Sequence, residues 1–202
     1  MHKLSRAELW SLEDYAVERD AFRRTVMAHK KPRRVALGPH ATLLFEDFLT
    51  MKYQVQEMLR VERIFERAAI EDEIATYNPL IPDGANWKAT FLIEYEDVSE
   101  RDAALRRMPG VEHRVWAGVG DLARVFAYAN DDLDRIDDDR TAAVHFLRFE
   151  FDEERIAAIR ADAPVTMGID HDELRCETTL TPGTVASLAR DLGDVAGRRG
   201  SR

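Results

Sequence analysis

Strand-like segments crowd the second half of the chain, and the connections between them are too short for parallel crossovers. No other feature narrows the fold as much. Residues 89–94, 113–119, 123–129, 143–151, 165–170 and 174–180 all carry strand patterning. A parallel pair needs a crossover of a dozen or more residues, usually a helix. Here Gly120-Asp121 sits where a tight two-residue hairpin would place a glycine at positive φ. The expectation is an α+β fold, a mostly antiparallel sheet of about six or seven strands with helices packed on one side.

The first half supplies the longer helices. Ser5 with Glu8, and Ser11 with Asp14, have the spacing of N-terminal caps, and a helix is expected over 12–28. Leu12, Tyr15, Ala16, Phe22 and Val26 form its apolar stripe, and Pro32 ends it. One strand is expected at 35–46, with a bulge or edge position at Gly38-Pro39. The longest helical pattern covers 48–76. Met51, Val55, Met58, Leu59 and Phe65 lie on its apolar face, and Gln56, Arg60, Arg63 and Arg67 on the opposite one. Ser99 and Asp152 are set to cap short helices, and Thr181-Pro182 opens the last. No repeat or linker divides the chain. Residues 1–193 read as one domain and 194–202 as a disordered tail.

Charge and cysteine usage remove whole classes of function. The formal net charge of −9 over 202 residues argues against general nucleic-acid binding, which needs a basic face to displace counterions from phosphate. It equally disfavours anionic membranes, and no stretch approaches the roughly 20 apolar residues of a membrane helix. The single Cys176 can build neither an internal disulfide nor a cysteine-ligated cluster, which suits a reducing cytoplasm. Its apolar strand neighbours suit a buried, inert thiol.

Glycine-rich phosphate loops and nucleophile elbows are missing from the sequence. The aspartate-rich run at 130–139 lacks the glycine and closing glutamate of a calcium loop, and reads as a solvated hairpin loop. Arg23, Arg24, Lys30, Lys31, Arg33 and Arg34 form a basic run at a helix C-terminus, where the dipole stabilises cations; the same run is a candidate contact for an acidic partner. The residues most suggestive of chemistry are His40, Glu57 and His171. A His/Glu/His set holds zinc or iron with coordination positions left open. It also serves as an acid–base pair, with Asp170 orienting His171 and with Arg34 and Arg60 around the pocket. The three are far apart in sequence and show no metal-ligand spacing, so satisfied polar groups and turn residues remain the competing reading.

The segments 31–40, 43–46, 54–64, 77–82 and 168–171, taken in order, resemble the bacterial domain of unknown function 3501 family, and the likeness extends over about 9–192. The resemblance carries no established activity. It implies a genomic setting beside rubrerythrin-like and iron–sulfur proteins, and hence a role in peroxide handling or electron transfer.

Two readings follow. In the first, the chain is an accessory or interaction protein that docks onto an iron–sulfur or rubrerythrin-like partner through its charged surfaces. In the second, it is a metal- or small-ligand-dependent enzyme, iron or zinc being the metal, with a site built from His40, Glu57 and His171. A homodimer burying its sheet faces is a third arrangement compatible with the same pattern.

Overall fold

The computed structural model describes residues 2–129 and 140–193, so the acidic run at 130–139 and the expected tail at 194–202 lie outside the described residues. Helix α1 (Leu12–Lys30) begins where the Ser11 side chain accepts a hydrogen bond from the Asp14 amide, 3.0 Å away. It gives way to a 3₁₀ turn, Lys31–Arg33, at Pro32. Of its apolar stripe, Tyr15 and Val26 are fully buried, whereas Ala16 faces solvent.

The segment expected as one strand is a hairpin of β1 (Arg34–Ala36) and β2 (Ala41–Glu46), with Arg34 opposite Leu44. Gly38 turns the chain at φ +71°, a conformation open to glycine at little cost. The Leu37 amide closes the turn on the Ala41 carbonyl at 2.8 Å. The long helix is likewise two elements, α2 (Phe48–Glu62) and α3 (Arg67–Tyr77). Between them Arg63 adopts the left-handed conformation, φ 56° and ψ 43°. The Ile64 amide reaches back to the Leu59 carbonyl at 2.9 Å, as in helix C-termini that normally end on glycine.

The remaining elements are β3 (Asn86–Ile93), α4 (Val98–Arg107), β4 (Val115–Val119), β5 (Val125–Phe126), β6 (Tyr128–Ala129), β7 (Val144–Glu150), α5 (Glu153–Arg160), β8 (Val165–His171), β9 (Leu174–Thr179) and α6 (Pro182–Leu188). Asp97, rather than Ser99, caps α4; Asp152 and Thr181 cap α5 and α6 as expected. The fold is α+β, the named strands pair antiparallel, and they divide between two sheets; one isolated parallel bridge joins Gly84 to Leu192. Five lie in the order β1-β2-β3-β7-β6 and four in the order β5-β4-β8-β9. The division falls inside the segment read as one strand at 123–129: β5 pairs with β4 and β6 with β7. The intervening Ala127 amide donates to the Val115 carbonyl at 2.8 Å.

The inner faces of both sheets share one core. Phe45, Phe91 and Phe149 from the first sheet meet Val115, Val165 and Met167 from the second, and α4, α5 and α6 close it with Leu105, Ile156 and Leu188. A second cluster joins α2 and α3 through Met51, Val55, Leu59 and Ile74, with Leu4 and Ile81. Burying each such aliphatic side chain contributes about 1.5–3 kcal/mol.

Arg33 ties the end of β2 to α6 and the turn that follows it. Its place in the basic run suggested a surface cation, yet it is 1% exposed. Its guanidinium donates to the carbonyls of Phe45 (3.1 Å), Glu46 (3.1 Å) and Ser187 (3.3 Å), and grips the Asp191 carboxylate at 2.5 and 3.4 Å. Asp47, the N-cap of α2, lies 3.5 Å from the same group. Burial pushes the Asp191 carboxyl up to about 6 against the opposing pull of Arg33.

Candidate functional site

Glu57 projects from α2 toward α1. Its carboxylate accepts from the Tyr15 hydroxyl (2.7 Å), from Arg19 (2.7 and 2.9 Å) and from Arg60 (3.2 Å). The Arg19 hydrogen bond above all, followed by those from Tyr15 and Arg60, holds its carboxyl down at about 2, although partial burial opposes them. A carboxylate engaged by four donors and so weakly basic is a clamp between two helices and a poor proton acceptor.

His40 lies in the β1–β2 turn. Its ring stacks on Tyr95 with centroids 4.0 Å apart and planes at 8°, and its Nδ1 is 3.2 Å from the Glu94 carbonyl. Arg34 reaches the Glu94 carboxylate at 3.6 Å, so these two expected site residues share one corner. His171 ends β8, where its Nδ1 accepts from the Glu173 amide at 3.2 Å and its Nε2 lies 3.3 Å from the Pro109 carbonyl. Asp170 pairs with Arg175 at 3.2 Å instead of orienting the imidazole. The six residues thus form three local groupings: Glu57 with Arg60, His40 with Arg34, and the neighbours Asp170 and His171 with partners of their own. Among the described residues no three His, Cys, Asp or Glu side chains are placed to hold a metal ion. Cys176 is half-buried, and burial raises its thiol above the ordinary range.

Concave surface lies elsewhere, at the corner between α2 and α3. The left-handed Arg63 turns Ile64 inward onto the second cluster and leaves Phe65 72% exposed; Val61, in the last turn of α2, is 64% exposed. The sequence pattern had placed Phe65 on a buried stripe, because nothing in 60–66 marks a helix break: no glycine or proline occurs there. The break also separates Glu62, the last residue of α2, from Glu66, the N-cap of α3, so these two carboxylates, four apart in sequence, do not share one helix. A groove of about 550 Å³ opens at this corner. Leu9, Trp10, Leu59, Ile64 and Ile70 line it, with Phe65 at its lip. Arg6, Glu13, Arg67 and Glu71 supply charges of both signs around it. The N-terminal wall is fixed by the Trp10 amide, which donates to the Gln56 side chain at 2.7 Å. No helix among the described residues is long and apolar enough to cross a membrane.

Residues 3–192 match the family described as protein of unknown function (DUF3501). No curated protein is a match. Among solved structures, the chain is similar to a crystal structure of a novel protein of unknown function from Burkholderia pseudomallei K96243. The two share 46% identity and a TM-score of 0.91, over 95% of this chain and 100% of that one.

Proposed function

The chain belongs to the DUF3501 family, and from that premise we propose that it is an accessory protein that docks onto a redox partner of the iron–sulfur or rubrerythrin-like kind. The observation that carries the docking role is the α2–α3 corner. A non-glycine residue in the left-handed region costs about 1–2 kcal/mol. Here that cost accompanies a large apolar side chain, Phe65, left in water at the lip of an apolar groove. Exposed apolar surface rimmed by polar residues marks interaction sites, and aromatic anchors near the centre of an interface carry much of its energy. The partner presents an apolar side chain to the groove floor and polar groups to its mixed-charge rim. The redox character of the partner comes from the setting of the family. The alternative, a metal-dependent enzyme using His40, Glu57 and His171, has less behind it, because Glu57 is committed to Tyr15, Arg19 and Arg60.

The test is a binding titration of the full chain against a purified iron–sulfur or rubrerythrin-like protein encoded beside it. Full burial of a phenylalanine is worth about 1.5–3 kcal/mol. Phe65→Asp should therefore weaken binding by about tenfold or more. Val17→Asp, on α1 at a residue that is 80% exposed and does not line the groove, should leave it unchanged. Equal affinity for Phe65→Asp and wild type refutes the groove as the contact. Failure of the wild-type chain to bind either class of partner refutes the redox assignment.

A further inference from the structure

The outer face of the five-stranded sheet holds a second concavity, and its charge is unusual. The register places Lys88 of β3 directly opposite Arg148 of β7, and Arg148 directly opposite Tyr128 of β6. Like charges directly opposite on neighbouring strands repel. Arg148 is compensated, pairing with Glu150 at 2.9 Å and lying 5.1 Å above the Tyr128 ring. Lys88 is compensated far less: among the described residues it has no hydrogen bond and no ion pair within 4.0 Å, only weaker attraction to Asp83 and Glu150. Its cross-strand neighbour on the other side, Glu46, is a buried carboxylate that accepts from Thr90 at 2.8 Å and has its second oxygen unpartnered, yet Lys88 makes no ion pair with it. Lys88 and Arg148 instead line a cavity of about 210 Å³. Pro79, Leu80, Tyr128 and Phe146 make most of its remaining wall. Burial, and then the neighbouring Arg148, hold the Lys88 ammonium below the ordinary lysine range.

We propose that this cavity binds a small carboxylate with a short apolar body, its carboxylate lying between Lys88 and Arg148 and its body against Phe146, Leu80 and Tyr128. The volume equals that of about seven waters at ~30 Å³ each, which sets the ligand size to a ring or short chain. A carboxylate suits the pair because an arginine fork and an ammonium together supply charge-assisted donors to both oxygens. It also removes the repulsion between them. The apolar wall selects against a bare inorganic anion, which would leave that surface wet.

Calorimetric titration of the full chain in low salt with benzoate, acetate and inorganic phosphate tests this. Benzoate should bind at least about tenfold more tightly than either of the others. Lys88→Gln should weaken benzoate binding by about tenfold or more, while Lys88→Arg should keep most of it. Should the glutamine variant fold poorly, the amine of wild-type Lys88 followed by NMR gives the same answer, since bound benzoate should raise its pKa. Absence of benzoate binding, equal binding of phosphate, or an unchanged affinity in Lys88→Gln overturns the site. Phe65→Asp should bind benzoate as wild type does, so this proposal and the docking groove stand or fall separately.

Discussion

Replacing Arg33 by alanine removes five hydrogen bonds that converge on one buried group, so it probes the fold where most depends on a single side chain. The substitution leaves Asp191 (5% exposed) facing the vacated space, and strips the Phe45, Glu46 and Ser187 carbonyls of their donor. Breaking a buried ion pair by deleting one partner costs about 3–5 kcal/mol, because the surviving charge is neither paired nor hydrated. For a chain of this length each kcal/mol lowers Tm by about 2–4 °C, so the expected fall is about 6–20 °C. The pH dependence has a definite sign. Asp191 already titrates near 6 in the native state, above the ordinary 3.8, and loss of Arg33 raises it further. The folded variant therefore binds more protons than the folded wild type above pH 6, and lowering the pH from 7.5 to 5 narrows the gap between them. Thermal melts by circular dichroism at both values measure this. A Tm within about 2 °C of wild type at pH 7.5 would refute the argument, as would a gap that widens on acidification. The double replacement Arg33→Met with Asp191→Leu should recover part of the loss, since it removes the unpaired buried charge while the three carbonyls still lack the Arg33 donor.

Three further outcomes follow from the packing. Glu57→Gln should destabilise the chain by about 1–2 kcal/mol, with solvent contact at Arg60 keeping the figure low. Because the Glu57 carboxyl sits at about 2 against 4.5, its contribution is present above pH 4.5 and fades as pH falls toward 2, so denaturant melts of the variant should lose less stability over that interval than wild type. Gly168→Ala should cost about 1–3 kcal/mol, since a Cβ there would lie 2.3 Å from the Trp116 ring and 2.7 Å from the Cys176 carbonyl; an unchanged urea midpoint would count against the close fit of Trp116 of β4 over Gly168 of β8. Arg63→Gly should raise stability by about 0.5–1 kcal/mol by relieving the left-handed residue between α2 and α3, and a lower Tm would show that the arginine side chain matters more than its backbone.

The parts of the fold visible in the sequence were those written in local rules. Ser11, Asp152 and Thr181 cap helices because their oxygens meet the free amides of a first turn, and period-two patterning marked β7, β8 and β9 within a residue or so of their ends. What stayed hidden depended on distance or on backbone strain. Arg33 reads as one cation in a basic run because its partner, Asp191, is 158 positions away. The helix break at Arg63 breaks no spacing rule, since 60–66 contains no residue that excludes helix. His40, Glu57 and His171 drew attention by residue type, but type does not reveal that Arg19 and Tyr15 would claim the carboxylate or that Tyr95 would cover an imidazole. Lys88 drew none, because a lysine at an outward strand position looks like any solvated one until Arg148 is placed opposite it.

The bond between Arg33 and Asp191 also imposes an order on biosynthesis. A ribosome delivers the chain from its N-terminus, and 158 positions separate the cation from its carboxylate. At about 5–20 residues per second that interval lasts roughly 8–32 s. Throughout it the guanidinium has only its nearby partners, the Phe45 and Glu46 carbonyls and the Asp47 carboxylate, and the side of it that Ser187 and Asp191 will cover stays open to water. The nascent protein therefore waits in a partly open form, and the segment around Asp191, once it emerges, acts as the latch.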